Sequence, residues 1–282
     1  MQKIEEVLNE KVKSKTNIFG GCIANSQKIE TESGRSFFVK TLENKPKIFQ
    51  NEASGLKELQ KAKAIRIPKV IFQDEAFLLL EFVEEGRKDN EFFRNFGQQF
   101  ANLHKFENEN FGFFEDNYIG ANPQKNIPNR SEANNWTEFY FNKRLLFQFK
   151  LCENNGFSTL EMRKLFLQLE SKIEKILEGS ENVPSLLHGD LWSGNFLVDE
   201  NSNPCLIDPA VYYGNREADL AMTKLFGGFD QNFYQTYNET FPLAEGYKYR
   251  ENIYNLYHIL NHLNLFGKSY YLQVISLMKS YV

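Results

Sequence analysis

Residues 186–209, LLHGDLWSGNFLVDENSNPCLIDP, decide how the rest of the chain is read. Two apolar triplets, Phe196-Leu197-Val198 and Cys205-Leu206-Ile207, flank a polar turn segment from Asp199 to Pro204, and this pattern predicts a β-hairpin. Pairing Phe196 with Ile207 and Val198 with Cys205 sets Asn195 opposite Asp208, with Cβ atoms roughly 5 Å apart. Two oxygen ligands then meet at the open end of the hairpin. His188-Gly189-Asp190 adds a second carboxylate five residues before Asn195, in a loop that Gly189 frees from ordinary backbone limits. Phosphoryl transfer needs a carboxylate to take a hydroxyl proton, and oxygen ligands to hold Mg²⁺ against phosphates. Asp190 suits the first role, and Asn195 and Asp208 suit the second. A polar hairpin end on a surface would carry the same residue types for turn reasons, so the flanking segments must discriminate.

Composition narrows the classes. A chain of 282 residues can bury a substantial core as one large or two small domains. Three cysteines, Cys22, Cys152 and Cys205, are too few and too scattered for a disulfide framework or a zinc site, and they suit a reducing cytosol. The N-terminus has no apolar signal region, and no run approaches the roughly 18 apolar residues of a membrane span. These features predict a soluble, cytoplasmic protein with no membrane partner. A net charge of −4 with interspersed signs leaves no basic footprint for nucleic acid. The 27 phenylalanines fall mostly at periodic positions, which suits core packing better than a cofactor box.

Along the chain, Ile4, Val7, Leu8 and Val12 recur at helical spacing and predict a helix over 2–13. The glycine turn around Gly20-Gly21-Cys22 leads into an alternating stretch to Thr31, and a second strand covers 35–40. Such a turn can lay backbone N–H groups over phosphates, or it can be a plain turn. Lys40 ends the strand and Glu52 opens the next helix. A strand lysine paired to a helix glutamate is a phosphate-holding device, and only the order of glycine loop, lysine strand and glutamate helix separates it from an ordinary surface pair. Apolar runs at 68–72 and 76–83 complete an expected five-stranded antiparallel sheet. Leu80 would stand at the back of an adenine pocket, with the backbone of Glu81 and Val83 at its hinge. The period then changes from two to 3.6, so the expected division is a nucleotide-binding lobe at 1–83 and a mainly helical lobe at 84–282.

In the second part, Phe92, Phe93, Phe96, Phe100 and Leu103 line one helix, a second begins near Asn135, and a third covers about 160–177. Residues 107–134 are dense in Gly, Pro and Asn and predict an irregular loop or insertion that could hold substrate. Asp219 falls at a helix start. Only eleven positions separate it from Asp208, too few for a platform that presents a peptide, which favours a small-molecule acceptor. His258 and His262 share a helical face, but position 259 is Ile, so a zinc pair lacks its partners and a buried or wall role is expected.

The order HxDxxxxN, hairpin, Asp is the catalytic loop of the kinase fold. The whole chain resembles the fructosamine kinase (ketosamine-3-kinase) family, a branch of the protein-kinase-like fold that includes aminoglycoside and choline kinases. The residues that carry the resemblance are Gly20-Gly21-Cys22-Ile23, FGFFEDNYIGANPQ at 111–124, Trp136 to Leu145, HGDLWSGN at 188–195, IDPAVYYGNREADLAM at 207–222 and LYHILNHLNLFGKSYY at 256–271. The resemblance implies an α+β bilobal enzyme that uses ATP and Mg²⁺ to phosphorylate the sugar 3-hydroxyl of a ketoamine, free or on a protein, in deglycation repair. It implies Lys40 and Glu52 as the phosphate-holding pair, Gly20, Gly21 and Cys22 in the phosphate loop, Glu81 and Val83 at the hinge, Asp190 as base, and Asn195 and Asp208 as metal ligands. His188 and Asp219 would support the catalytic loop, and Cys22 would be a candidate redox residue. Pro209 replaces the Phe-Gly that follows this Asp in protein kinases, so no Phe-driven switch is implied. Asp116, Asn117 and Trp192 are candidates for the sugar wall by position and chemistry, and the protein would be a monomer or homodimer. The alternatives are another phosphotransferase acting on an aminoglycoside or amine alcohol, and a non-catalytic nucleotide-binding module.

Overall fold

The computed structural model describes residues 2–18, 25–42 and 47–282. Gly20, Gly21 and Cys22 lie outside the described residues. The N-terminal part is a five-stranded antiparallel sheet of order β1-β2-β3-β5-β4, formed by β1 (Val12–Ile18), β2 (Asn25–Thr31), β3 (Ser36–Thr41), β4 (Val70–Gln73) and β5 (Phe77–Glu81). The expected sheet is therefore present, but the helix expected over 2–13 is shorter, and Val12 and Lys13 belong to the first strand. Helix α1 (Gln2–Leu8) stops four residues before β1, because Asn9 takes a left-handed φ of 52° that ends the helix. The apolar spacing through Val12 misled because Val12 packs on the same cluster as Val7 and Leu8, but from a strand.

Strand alternation then decides which side chains reach the cleft. Phe37 and Val39 of β3, with Phe77 and Leu79 of β5, bury the face covered by α1. Lys40 and its cross-strand partner Leu78 face the other way, toward α2 (Lys47–Lys61). Helix α2 buries Phe49, Ala53, Leu56 and Leu59 at helical spacing in the large core that continues into the C-terminal part.

That part is mainly helical. Helix α3 (Phe92–His104) packs its Phe92, Phe96 and Phe100 stripe on Phe233 and Tyr237 of a later helix. The 107–134 stretch is less irregular than its composition suggests, since β6 (Asn117–Ile119) and β7 (Asn122–Gln124) form a small hairpin. Helix α4 (Trp136–Tyr140) starts where expected, with the Asn135 side chain accepting from the Glu138 N–H, and runs through a π-helical turn, Phe141–Leu146, into α5 (Phe147–Asn154). The helix expected over 160–177 is broken into α6 (Leu160–Glu170) and α7 (Ile173–Ile176). Strands β8 (Ser185–Leu187) and β11 (Tyr212–Gly214) pair around the β9 (Phe196–Val198) and β10 (Pro204–Leu206) hairpin. Helices α8 (Glu217–Leu225), α9 (Gln231–Thr240), α10 (Tyr247–Phe266) and α11 (Tyr271–Lys279) complete the body. Among the described residues, no helix is long and apolar enough to cross a membrane.

Candidate active site

Lys40 is buried, and its ammonium donates to Glu52 at 2.7 Å and to the carboxylate of Asp208. Burial alone would depress this lysine, but the two carboxylates outweigh it and hold the group above its ordinary value. Burial pushes the Glu52 carboxyl up, against the pull of Lys40. Helix α2 is held to the C-terminal part at two points. Gly55 packs on Val211 and Pro209, and Tyr213 donates to Glu58 at 2.9 Å. The strand lysine, the helix glutamate and the carboxylate after β10 thus form one cluster across the cleft.

The loop that carries Asp190 hangs from the β8–β11 pair and is fixed from beneath by Asp219. Its carboxylate, 1% exposed, accepts from the backbone N–H of His188 at 2.7 Å and of Gly189 at 2.8 Å, and faces Nε2 of His104 at 3.3 Å. Burial opposes ionisation of Asp219, yet these donors hold its pKa below the usual value. The Asp190 N–H donates to Nδ1 of His188 at 3.3 Å, so the ring proton sits on Nε2, which donates to the Ile207 carbonyl at 2.9 Å. Burial lowers the His188 pKa, in keeping with that neutral tautomer. Gly189 is obligatory here: its φ is +82°, and a Cβ would lie 2.0 Å from the Ala210 carbonyl oxygen. The Asp190 carboxyl is pushed well above its ordinary range by the enclosing protein and then by the charge of Asp208. Enclosure and a neighbouring carboxylate thus both disfavour the ionised form of Asp190.

The hairpin register differs from expectation by one residue. Phe196 pairs with Leu206 and Val198 with Pro204, so Asn195 faces Ile207, whose N–H donates to its carbonyl at 3.1 Å. The cause is the turn. Asp199 donates its N–H to Asn203 and accepts from Asn201 and Asn203 through its carboxylate, closing a three-residue loop with Ser202 at φ 63°. An odd loop moves the pairing centre. Asp208 then lies one step beyond the pair and takes φ 54°, which turns its side chain to Lys40.

Asn195 is oriented by the loop that carries Asp190. Its Nδ2 donates to the Asp190 carbonyl at 2.7 Å and carboxylate at 3.2 Å, which leaves Oδ1 as the acceptor on the other side. Among the described residues, no group of three His, Cys, Asp or Glu side chains could hold a metal. Asn195 and Asp208 nevertheless fit Mg²⁺, which takes few protein ligands and completes its shell with phosphate oxygens and water.

Other expectations are redirected. The hinge contact expected of Glu81 is through its backbone; its side chain pairs with Arg66 at 2.9 Å, and Arg66 also reaches Asp199 at 2.7 Å and Glu200 at 3.0 Å. Arg66 therefore ties the hinge strand to the tip of the catalytic hairpin. Asp116 is tied to Lys125 at 2.7 Å and caps the N–H groups of Asn126 and Ile127. Asn117 is buried, donates to the Val211 carbonyl at 2.8 Å and accepts from Gln124 and Asn126. Of the pair expected at the sugar wall, Asn117 has its side-chain amide engaged inside the protein, while Asp116 stays partly exposed. Trp192 differs, being 37% exposed beside the base. His258 is buried and His262 bonds to the His258 carbonyl through Nδ1 at 2.8 Å, a wall arrangement and not a ligand pair.

A family model described as fructosamine kinase matches residues 1–282. The chain belongs to the fructosamine kinase family. It is 40% identical over 269 residues to the probable ketoamine kinase of Enterococcus faecium, covering 94% of each chain. A chloroplastic protein-ribulosamine 3-kinase of Arabidopsis thaliana is 37% identical over 279 residues, covering 94% of this chain and 82% of the plant protein. The crystal structure of a candidate fructosamine-3-kinase from Thermobifida fusca superposes with a TM-score of 0.90 at 31% identity, over 99% of this chain and 96% of the other. The aminoglycoside phosphotransferase APH(4)-Ia, in complex with AMP-PNP and hygromycin B, reaches a TM-score of 0.69 at 13% identity over 99% and 97% of the two chains, which shows a shared fold. A fructosamine kinase is a phosphotransferase, and kinase membership implies ATP as donor.

Within this fructosamine kinase fold, sequence reasoning missed His104, Arg66 and the buried amide Gln124. Gln124 accepts from the Tyr257 hydroxyl at 2.6 Å and donates to the Ala210 carbonyl and Asn117, both at 2.9 Å. Each of these residues acts on a partner 85 or more positions away; Gln124 does close the FGFFEDNYIGANPQ stretch, but nothing local there marks Tyr257 and Ala210 as its partners.

Proposed function

We propose that this chain is an ATP- and Mg²⁺-dependent ketoamine 3-kinase acting in deglycation, with its lobes divided at residues 83 and 84. The observation that carries the reading is the cross-cleft cluster of Lys40, Glu52 and Asp208 standing beside the Asp190–Asn195 pair. In this reading Asp190 accepts the proton of the sugar 3-hydroxyl as that oxygen attacks the γ-phosphorus in line, and the bond to the β-γ bridging oxygen breaks to release ADP. Lys40, kept charged by its two carboxylates, holds the phosphates. The backbone of Glu81 and Val83 holds the adenine. Asn195 and Asp208 would hold Mg²⁺, which when bound neutralises phosphate charge. Asn195 also keeps Asp190 pointed at the hydroxyl through its two bonds. Trp192 offers an aromatic face to the ketoamine ammonium. A reducing cytoplasm suits Cys152 and Cys205, which are both free and buried.

One assay tests the reading. Purified protein with Mg²⁺-ATP is offered a fructosamine, a ribulosamine, an aminoglycoside and choline, and the phosphorylated product is measured. Product from the ketoamines, with phosphate on the 3-hydroxyl, is the expected result. Product only from the aminoglycoside or choline would overturn the substrate class, and product from none would overturn turnover itself.

A further inference from the structure

Beyond the base, the wall of the cleft continues as a series of aromatic rings. Trp192, two residues after Asp190, meets Phe226 edge-on with centroids 6.4 Å apart. Phe226 lies 5.0 Å from His262, and His262 lies 5.5 Å from Phe266 and 5.1 Å from Tyr270. The series runs from the edge of the core, where Tyr270 packs, out to solvent. Phe226 is 42% exposed and Phe266 51% exposed, next to a Trp192 that is itself open to solvent. The turn that carries Phe226 is pressed onto the catalytic loop: Gly228 has φ +95°, and a Cβ there would come 2.5 Å from Ser193. The exposed rings are therefore held against the site by construction. A contiguous exposed apolar surface of this kind marks a binding face.

The chemistry of the substrate says what would cover it. This step rests on the ketoamine reading given above. With the 3-hydroxyl at Asp190, only two carbons separate the reacting carbon from the amine nitrogen, so the amine substituent must leave the sugar close to the base. Trp192 begins the ring series at that point. His262, which follows Phe226 in the series, does not repel a cation, since burial lowers its pKa and its Nδ1 proton is donated to the His258 carbonyl. A ketoamine ammonium can pass along such faces, and the apolar chain behind it can cover the outer rings.

We propose that Phe226, Phe266 and Tyr270, reached past Trp192 and His262, form the subsite for the amine substituent, and that they select ketoamines whose amine carries an extended apolar chain, as a lysine side chain does. The sugar is then read near the base and the amine along the ring series.

The test compares two ketoamines of one sugar, made from methylamine and from Nα-acetyl-lysine amide, with wild type, F226A/F266A and the conservative F226L/F266L. Truncating two half-exposed rings should raise KM for the lysine adduct about tenfold relative to the methylamine adduct, with kcat for the two moving together. F226L/F266L should recover most of the difference, because an apolar contact is what is lost. Equal changes in KM for both adducts in F226A/F266A would overturn the subsite. A change in oligomeric state by size-exclusion chromatography without a substrate-dependent KM would overturn it in favour of an interface between copies. If wild type phosphorylates neither adduct, the ketoamine reading fails first and the subsite with it.

Discussion

Replacing Gln124 with Met keeps the side-chain volume and removes its hydrogen-bonding groups. Gln124 is 1% exposed and serves three partners, the Tyr257 hydroxyl, the Ala210 carbonyl and the Asn117 amide oxygen. Asn117 keeps a second donor, Asn126 Nδ2 at 2.8 Å, so the groups left unpaired are the Tyr257 hydroxyl and the Ala210 carbonyl. Each buried polar group left without a partner costs about 1–3 kcal/mol, so with two such groups the variant should lose about 2–6 kcal/mol of stability. For 282 residues that corresponds to a fall in Tm of about 3–10 °C, given an unfolding entropy of about 2 cal/mol/K per residue. The damage should also reach the site. Ala210 donates its N–H to the His188 carbonyl at 2.8 Å and lies two residues after Asp208, so slack at Ala210 loosens both the Asp190 loop and Asp208, the proposed base and metal ligand. Urea unfolding, together with kcat and KM for Mg²⁺-ATP, measures the two effects. Tyr257→Phe removes one of the bonds and should cost less than Gln124→Met on both counts. Wild-type stability and turnover in Gln124→Met would refute the idea that the insertion hairpin holds the catalytic segment.

Three further outcomes follow from the same geometry. Asp190→Ala should lower kcat by a factor on the order of 10²–10⁴ while ADP still binds, measured by steady-state kinetics and calorimetric titration. Arg66→Met should cost about 1–3 kcal/mol in urea unfolding, because it strands a buried Asp199 carboxylate while Arg66 itself is a quarter exposed, and it should raise KM for ATP through the hinge strand. His258, buried and without a partner for Nδ1 among the described residues, has a pKa lowered to about 3, chiefly by burial. The unfolded chain therefore takes up a proton near pH 6.5 that the folded chain refuses, so stability is full above that pH and falls as pH drops toward 3. Between pH 8 and pH 5 this residue alone should account for about 2 kcal/mol, and His258→Asn should remove that share of the pH dependence in urea unfolding.

Much of the site was legible because its chemistry is local. HGD and the Asn five residues later lie on one loop, and strand alternation is enough to turn Lys40 and Leu78 away from Phe37 and Val39 toward the helix of Glu52. The helix start at Asn135 was visible for the same reason, since a cap is a contact across three residues. The interlobe tie through Arg66 and the amide chain through Gln124 left no such trace. They join segments that only the completed fold brings together.

The hairpin register shows where local reasoning fails even inside a recognised motif. Apolar triplets fix that two strands pair, but either neighbouring register buries a plausible set of residues when both faces are largely covered, as Pro204, Cys205 and Leu206 are. The decision passes to the turn, where the Asp199 carboxylate accepts two backbone N–H groups and enforces an odd loop. That same carboxylate is the one Arg66 holds from the hinge side. One buried acid therefore sets the register that brings Asp208 to Lys40 and ties that register to the N-terminal sheet, so the position of the proposed metal ligand depends on a residue nine positions away.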